Sequence, residues 1–139
     1  MLFRSNLRVN LGGPRNICRN VLPLMMKQKW GRIINFSGVD PFLGGSVTKG
    51  MAKLGIIGFT RGLAREFGEH DITANCIGPG TIDVERDAFQ KPKGLKPQQP
   101  IRRLGKPREV VSLMVYLASE DAGYVTGQAY LMNGGLYFH

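Results

Sequence analysis

A chain of 139 residues, 42% of them apolar and 21% charged, is long enough for one modest hydrophobic core and too short for two domains. No apolar run is long enough to span a bilayer, the opening MLFRSNLR lacks the apolar stretch of a signal peptide, and two cysteines, Cys18 and Cys76, make no disulfide framework. A formal net charge of +9 spread along the chain without interleaved aromatics reads as a solvated basic surface, loosely concentrated at Lys91, Lys93, Lys96, Arg102, Arg103, Lys106 and Arg108. A cytoplasmic protein without a membrane, nucleic-acid or metal partner is the expectation.

Residues from Arg4 to Arg8 carry no readable pattern. Beyond Val9, apolar residues at helical spacing (Ile17, Val21, Leu22, Leu24, Met26) predict a helix over Gly13 to Lys27. The β-branched run Ile33-Ile34 and Phe36 predicts a strand from Arg32 to Phe36, followed by a loop rich in Gly and Ser. A helical pattern then occupies Val47 to Phe67, with the hydroxyls of Ser46 and Thr48 suited to turn and cap chemistry. Inside it Gly55, Gly58 and Gly62 recur at spacings of three and four, a side-chain-free stripe; each costs about 1 kcal/mol against Ala, so a packing reason is expected.

Gly68 is placed to end that helix as a C′ glycine, and His70 and Asp71 follow in a turn, where a lone histidine has no catalytic role. A second strand, Thr73 to Ile77, runs into Gly78-Pro79-Gly80-Thr81-Ile82. The polar stretch from Asp83 to Pro100 is a long connection of the functional kind. Pro107 opens a helix over Arg108 to Leu117, with Val110, Met114 and Leu117 as its apolar stripe, and a third strand spans Ala129 to Met132 before a Gly134-Gly135 turn. Strands alternating with helices imply an α/β fold with a parallel sheet. In such sheets ligands sit at the carboxyl ends of the strands, so the strand, loop and helix from Arg32 to Ala64 is where a site belongs.

The segment Lys53-Leu54-Gly55-Ile56-Ile57-Gly58-Phe59-Thr60 resembles the continuation of the Tyr-x-x-x-Lys helix in the short-chain dehydrogenase/reductases. Val9-Asn10-Leu11-x-Gly13, Asn75-x-x-x-Pro79-Gly80 and Ser119 to Gln128 are similar to further segments of that family, and the match covers nearly the whole chain. The resemblance implies that Lys53 is the catalytic Lys, that Asn10 is the Asn of the family's Asn-Ser-Tyr-Lys tetrad, and that Pro79, Gly80 and Ile82 contact the cofactor beside Lys53. Read alone, Asn10 is an ordinary polar residue near a helix start. Lys49 stands where the family has its Tyr. Aligned from the strand, Gly38 falls on the active Ser and Ser37 on the hydroxyl before it, which leaves Ser37 as the candidate catalytic hydroxyl, and Val84 replaces a hydroxyl-bearing Thr after the Pro-Gly.

The family's Thr-Gly-x-x-x-Gly-x-Gly loop, which seats the cofactor pyrophosphate on a helix N-terminus, does not occur in the 139 residues. Residues 1–139 are therefore expected to be a single partial domain, the C-terminal half of a Rossmann-like doubly wound sheet with about three strands and three helices. The implied activity is hydride transfer between NAD or NADP and a small hydroxyl or carbonyl substrate in a longer parent; the alternative is a catalytically impaired scaffold serving dimerisation or regulation. A ketone becoming an alcohol needs a proton donor at its oxygen, which a Tyr beside a Lys ammonium supplies because its pKa is lowered. Two lysines four apart repel by roughly 0.2 to 0.5 kcal/mol when exposed, which favours loss of one proton and gives Lys49 and Lys53 a possible acid-base part. The resemblance further implies a homo-oligomer through the first two helices, with Ile56, Phe59, Leu63 and Phe67 as the contact stripe.

Overall fold

In the computed structural model, which describes residues 2–84 and 97–138, three parallel strands form one sheet in the order β1-β2-β3: Gly31–Phe36, Ile72–Pro79 and Ala129–Met132. The register aligns Gly31 with Ile72 and Phe36 with Ile77, then Cys76 with Ala129 and Pro79 with Met132. β2 is buried from Ile72 through Gly78, as a central parallel strand with both faces covered must be. Among the described residues five α-helices surround the sheet: α1 (Leu2–Leu7), α2 (Gly13–Gln28), α3 (Asp40–Leu43), α4 (Val47–Phe67) and α5 (Pro107–Ala118). The fold is α/β, as the sequence pattern predicts, with every expected strand and helix present.

The periodicity of each helix determines which face of the sheet it covers. On one face α2 and α4 bring Cys18, Leu22 and Leu63 against Ile33, Ile72 and Ala74, and Ile56 and Ile57 against Cys76 and Ala129. On the other, Leu117 of α5 packs with Ile77 and Ala122, flanked by Ile34, Val110 and Met114. Helices on both faces of a parallel sheet make the layered arrangement of a doubly wound domain. Among the described residues no helix is long and apolar enough to cross a membrane.

Several local expectations are corrected. The unreadable N-terminal stretch is helical, and a π-helical segment, Arg8–Gly12, joins α1 to α2. Gly68 is right-handed (φ −61°) because the chain tightens into a 3-10 turn, Gly68–His70, and the left-handed residue that ends it is Asp71 (φ 58°). Of the three glycines in α4, only Gly55 is a close approach: a Cβ there would lie 3.1 Å from Leu11, whereas Gly58 and Gly62 face open space. The stripe expected to be an intersubunit contact points inward instead. Ile56 and Leu63 are core residues, with Phe59 and Phe67 packed beside them, because α4 needs that face to cover β2. Its outward face carries Val47, Met51 and Leu54, all exposed, in line with Gly58 and Gly62.

The connection from Asp83 to Pro100 is described only at its two ends, and Lys91, Lys93 and Lys96 lie outside the described residues. Those ends are tied together. Ile82 and Gly105 form a parallel bridge, with the Asp83 N–H on Gly105 O at 2.8 Å and the Gly105 N–H on Thr81 O at 3.0 Å. The buried Gln99 donates to Ile101 O and Arg103 O at 2.6 and 2.8 Å.

Candidate active site

The carboxyl end of β1 delivers the chain into a groove of about 500 Å³ that runs between β1 and α2. Asn10 and Lys53 both line it, together with Phe36. Asn10 is placed there by the π-helical segment, whose wider turn sets it off from α2, and its side-chain amide donates to Asn6 O at 3.0 Å. Lys53 arrives from the second turn of α4 and donates to the Phe36 carbonyl at 3.0 Å. Burial lowers the pKa of its ammonium, with Cys76 and Asp40 opposing. Desolvation thus carries the effect that repulsion by Lys49 was expected to produce. Lys49 itself is exposed one turn earlier on α4.

Ser37 follows Phe36 but turns inward. Its N–H joins the ladder through Ile77 O at 2.9 Å, and its hydroxyl, with the residue only 1% exposed, donates to Gly38 O at 3.0 Å. Gly38 has φ +75°, a left-handed conformation that turns the chain over the end of β2. The adjacent strand has no room for a side chain: a Cβ on Gly78 would lie 2.7 Å from Leu131, 2.9 Å from Gly38 O and 3.1 Å from Ser37 Oγ. Pro79 O lies 4.0 Å from where a Gly38 Cβ would stand, which brings the Pro-Gly turn beside the β1 loop.

Gly80 packs on Asn133, where a Cβ would lie 2.9 Å from the Asn133 Cα. Ile82 lies in a separate cleft of about 330 Å³ at the carboxyl ends of β2 and β3, with Gln99, Arg103, Glu109 and Asn133. Asn10, Lys53 and the β1 terminus therefore share one groove and Pro79 O lies beside Gly38 just past that terminus, while Lys49 is exposed outside the groove and Ile82 belongs to another cleft.

Buried polar residues that the motifs did not single out support this end of the sheet. Asn35 donates to Thr60 Oγ1 at 2.9 Å, and Thr60 donates in turn to Ile56 O at 2.7 Å, which locks β1 to α4 one helical turn beyond Ile56. The fully buried Cys76 thiol has its pKa pushed up by burial, against hydrogen bonds with Ser37 and Thr60 and the charge of Lys53. Asn75, named in the sequence only as part of a pattern, clamps the approach to β3 by donating to Val125 O at 2.7 Å and accepting from the Gln128 N–H at 3.1 Å. The available signal was polarity within apolar strands, since a buried amide or hydroxyl has to find partners.

Comparison with known proteins agrees with this architecture. The model of the family described as enoyl-(acyl carrier protein) reductase matches residues 2–137. The chain is 39% identical over 136 residues to the 3-oxoacyl-[acyl-carrier-protein] reductase FabG of Aquifex aeolicus, covering 94% of this chain and 55% of that protein. To the nodulation protein G of Azospirillum brasilense it is 39% identical over 139 residues, covering 95% and 56%. Among solved structures, the TT0495 protein of Thermus thermophilus superposes with a TM-score of 0.85 at 27% identity, over 96% of this chain and 60% of that one. The acetoin dehydrogenase YohF of Salmonella typhimurium gives 0.83 at 33% identity, over 97% and 56%. The chain spans about half the length of the curated relatives it matches.

Proposed function

Because this chain belongs to the short-chain dehydrogenase/reductase family and carries its C-terminal half, we propose that it supplies the proton-handling half of an NAD(P)-dependent oxidoreductase acting on a small hydroxyl or carbonyl compound. The observation that carries this reading is that Asn10 and Lys53 line one groove along β1, with Lys53 bonded to the Phe36 carbonyl at the carboxyl end of that strand. That end of the sheet is where a doubly wound domain binds its ligand.

The residues present fit one end of a dinucleotide and not the other. Lys53 offers an ammonium to ribose hydroxyls, and the Pro79-Gly80 turn presents backbone to a nicotinamide, although Val84 brings no donor to its carboxamide. The 139 residues contain no Gly-rich turn for the pyrophosphate. When bound, the cofactor supplies the hydride. This chain's residues handle the proton: Lys53, its pKa lowered by burial, holds and releases one at the groove, Asn10 lines the same groove, and Lys49 is exposed one turn earlier on α4. Ser37 positions the β1 turn through its bond to Gly38 O.

The alternative, a scaffold impaired in catalysis, is favoured by two local features. Gly38 has no hydroxyl to orient a substrate oxygen, and Lys53 is already engaged by Phe36 O. In either case we propose a homo-oligomer through α2 and α4, now by their outward faces, in a cytoplasmic setting.

Calorimetric titration of the chain with NADH and NADPH is the deciding experiment. The expected result is a Kd weaker than about 1 mM for the chain by itself, and restored binding once a Gly-rich half is joined to it. In that joined protein Lys53→Met is expected to abolish binding, and Lys49→Tyr to raise carbonyl reduction. Micromolar binding by the 139-residue chain overturns the half-site reading, and wild-type turnover unchanged by Lys49→Ala removes Lys49 from the chemistry.

A further inference from the structure

The cleft of about 330 Å³ at the carboxyl ends of β2 and β3 is separate from the groove along β1, and the two share no lining residue among those described. Leu131 fills the space between the cleft and the β1 turn: a Cβ on Gly78 would lie 2.7 Å from its Cδ2 and 3.1 Å from Ser37 Oγ. Backbone ties hold both sides of the cleft. The Gly105 N–H bonds Thr81 O and the Ile101 N–H bonds Gly134 O, each at 3.0 Å. Gly134, at φ +65°, leaves no room for a side chain, since a Cβ there would lie 2.9 Å from Gln99 Nε2. The cleft is thus shaped by the fold itself, and its volume falls within the range of about 300–1,000 Å³ that small molecules occupy.

Its lining selects the occupant. Ile82, Val110, Leu131 and Met132 supply apolar surface. The polar end is Gln99, which lines the cleft although only 7% exposed and commits its Nε2 to Ile101 O and Arg103 O at 2.6 and 2.8 Å. Those two bonds fix which way the amide points, and its Oε1 accepts no hydrogen bond among the described residues. A nearly buried acceptor of this kind is costly unless water or a ligand brings it a donor. Arg103 and Glu109 also line the cleft, but they are paired with each other at 2.6 and 2.9 Å, so no charge is left unpaired there. A carboxylate or an ammonium would lose its water and gain no counter-charge. We propose that this cleft is a second ligand site, for a small uncharged molecule with an alkyl body and one hydrogen-bond donor, an amide N–H or a hydroxyl. The alkyl body lies on Ile82, Leu131 and Met132, and the donor bonds Gln99 Oε1.

The test is an NMR titration of the isotope-labelled 139-residue chain with hexanamide, and with hexanoate as its charged counterpart. Hexanamide is expected to bind with a Kd of about 1–10 mM, the strength open to so few atoms. It should shift the amides of Gly105, Gly134 and Gly135 and leave those of Asn10 and Lys53 in place. Hexanoate is expected to bind at least tenfold more weakly. Gln99→Met keeps the side chain's size and removes its acceptor, and is expected to weaken hexanamide at least threefold. Ile101→Trp, at a position 54% exposed, covers the cleft and is expected to weaken hexanamide at least tenfold while the circular dichroism stays native. If Gln99→Met fails to fold, Ile101→Trp decides. No binding of hexanamide, equal binding of hexanoate, shifts confined to the groove of Asn10 and Lys53, or binding indifferent to both substitutions each overturns the proposal. None of these outcomes depends on dinucleotide binding or turnover.

Discussion

Gly38 shows how one residue constrains what this site can become. Its φ of +75° lies where side-chain-bearing residues are disfavoured by roughly 1–2 kcal/mol, so the position that would carry the family's active Ser is held in a glycine conformation. Gly38→Ser is therefore expected to lower stability by about 1–2 kcal/mol in urea unfolding, and an unchanged midpoint would show that the turn relaxes without strain. The missing hydroxyl at Gly38 limits any gain from Lys49→Tyr. That Gly38 lacks a hydroxyl was readable from its spacing after the strand; its left-handed conformation was not, because it arises from the turn over β2. Lys53 makes a similar point. Its lowered pKa was expected from the neighbouring Lys49, but comes from burial against the end of the sheet, a property no local spacing encodes.

At the scale of elements, the N-terminus of α5 is tied to the connection before it. Arg103 holds Glu109 bidentately at 2.6 and 2.9 Å, and Glu109 also accepts the Lys106 N–H at 2.6 Å, half of a capping box. Together these pull the Glu109 carboxyl down to about 2, Arg103 contributing most. A carboxyl whose folded pKa lies below its unfolded value of 4.5 stabilises fully above that value, and the contribution is lost as pH falls from there through about 2. The clamp is solvent-exposed and screened, so its release is local. The protection of the Lys106 amide and the first turn of α5, measured against intrinsic exchange at each pH, is expected to fall as pH drops through this window in the wild type. In Glu109→Gln it is expected to be low already above the window. Equal protection in both proteins at every pH would exclude the clamp. Pro107 as the helix start was legible from the sequence, whereas the partnership of Arg103 with Glu109 required the turn that folds one back on the other.

For the whole molecule, the outward face of α4 is the feature that bears on assembly. Val47, Met51 and Leu54 are exposed and continue into the open positions of Gly58 and Gly62, a surface on which a second helix can approach closely. Light scattering is expected to give a dimer or larger species for the wild-type chain and a smaller one for Leu54→Lys. A wild-type monomer at high concentration would remove the proposed assembly. The proposed assembly would use the outward face of α4, since the inward residues expected to serve as the contact are committed to the core.

The order of the three strands and the three long helices α2, α4 and α5, the parallel sheet and the family were determined by the sequence itself, whereas α1 and α3 were not. They rest on periodicity and on motifs such as Asn75-x-x-x-Pro79-Gly80, which are local in the chain. Which face of α4 is buried, which side of β1 is open, and that Lys53 reaches Phe36 O while Ile82 falls into another cleft were decided only by tertiary structure. Each depends on contacts between residues far apart in sequence, and α4 carries apolar residues on both faces, so its pattern could not say which of them the sheet would claim.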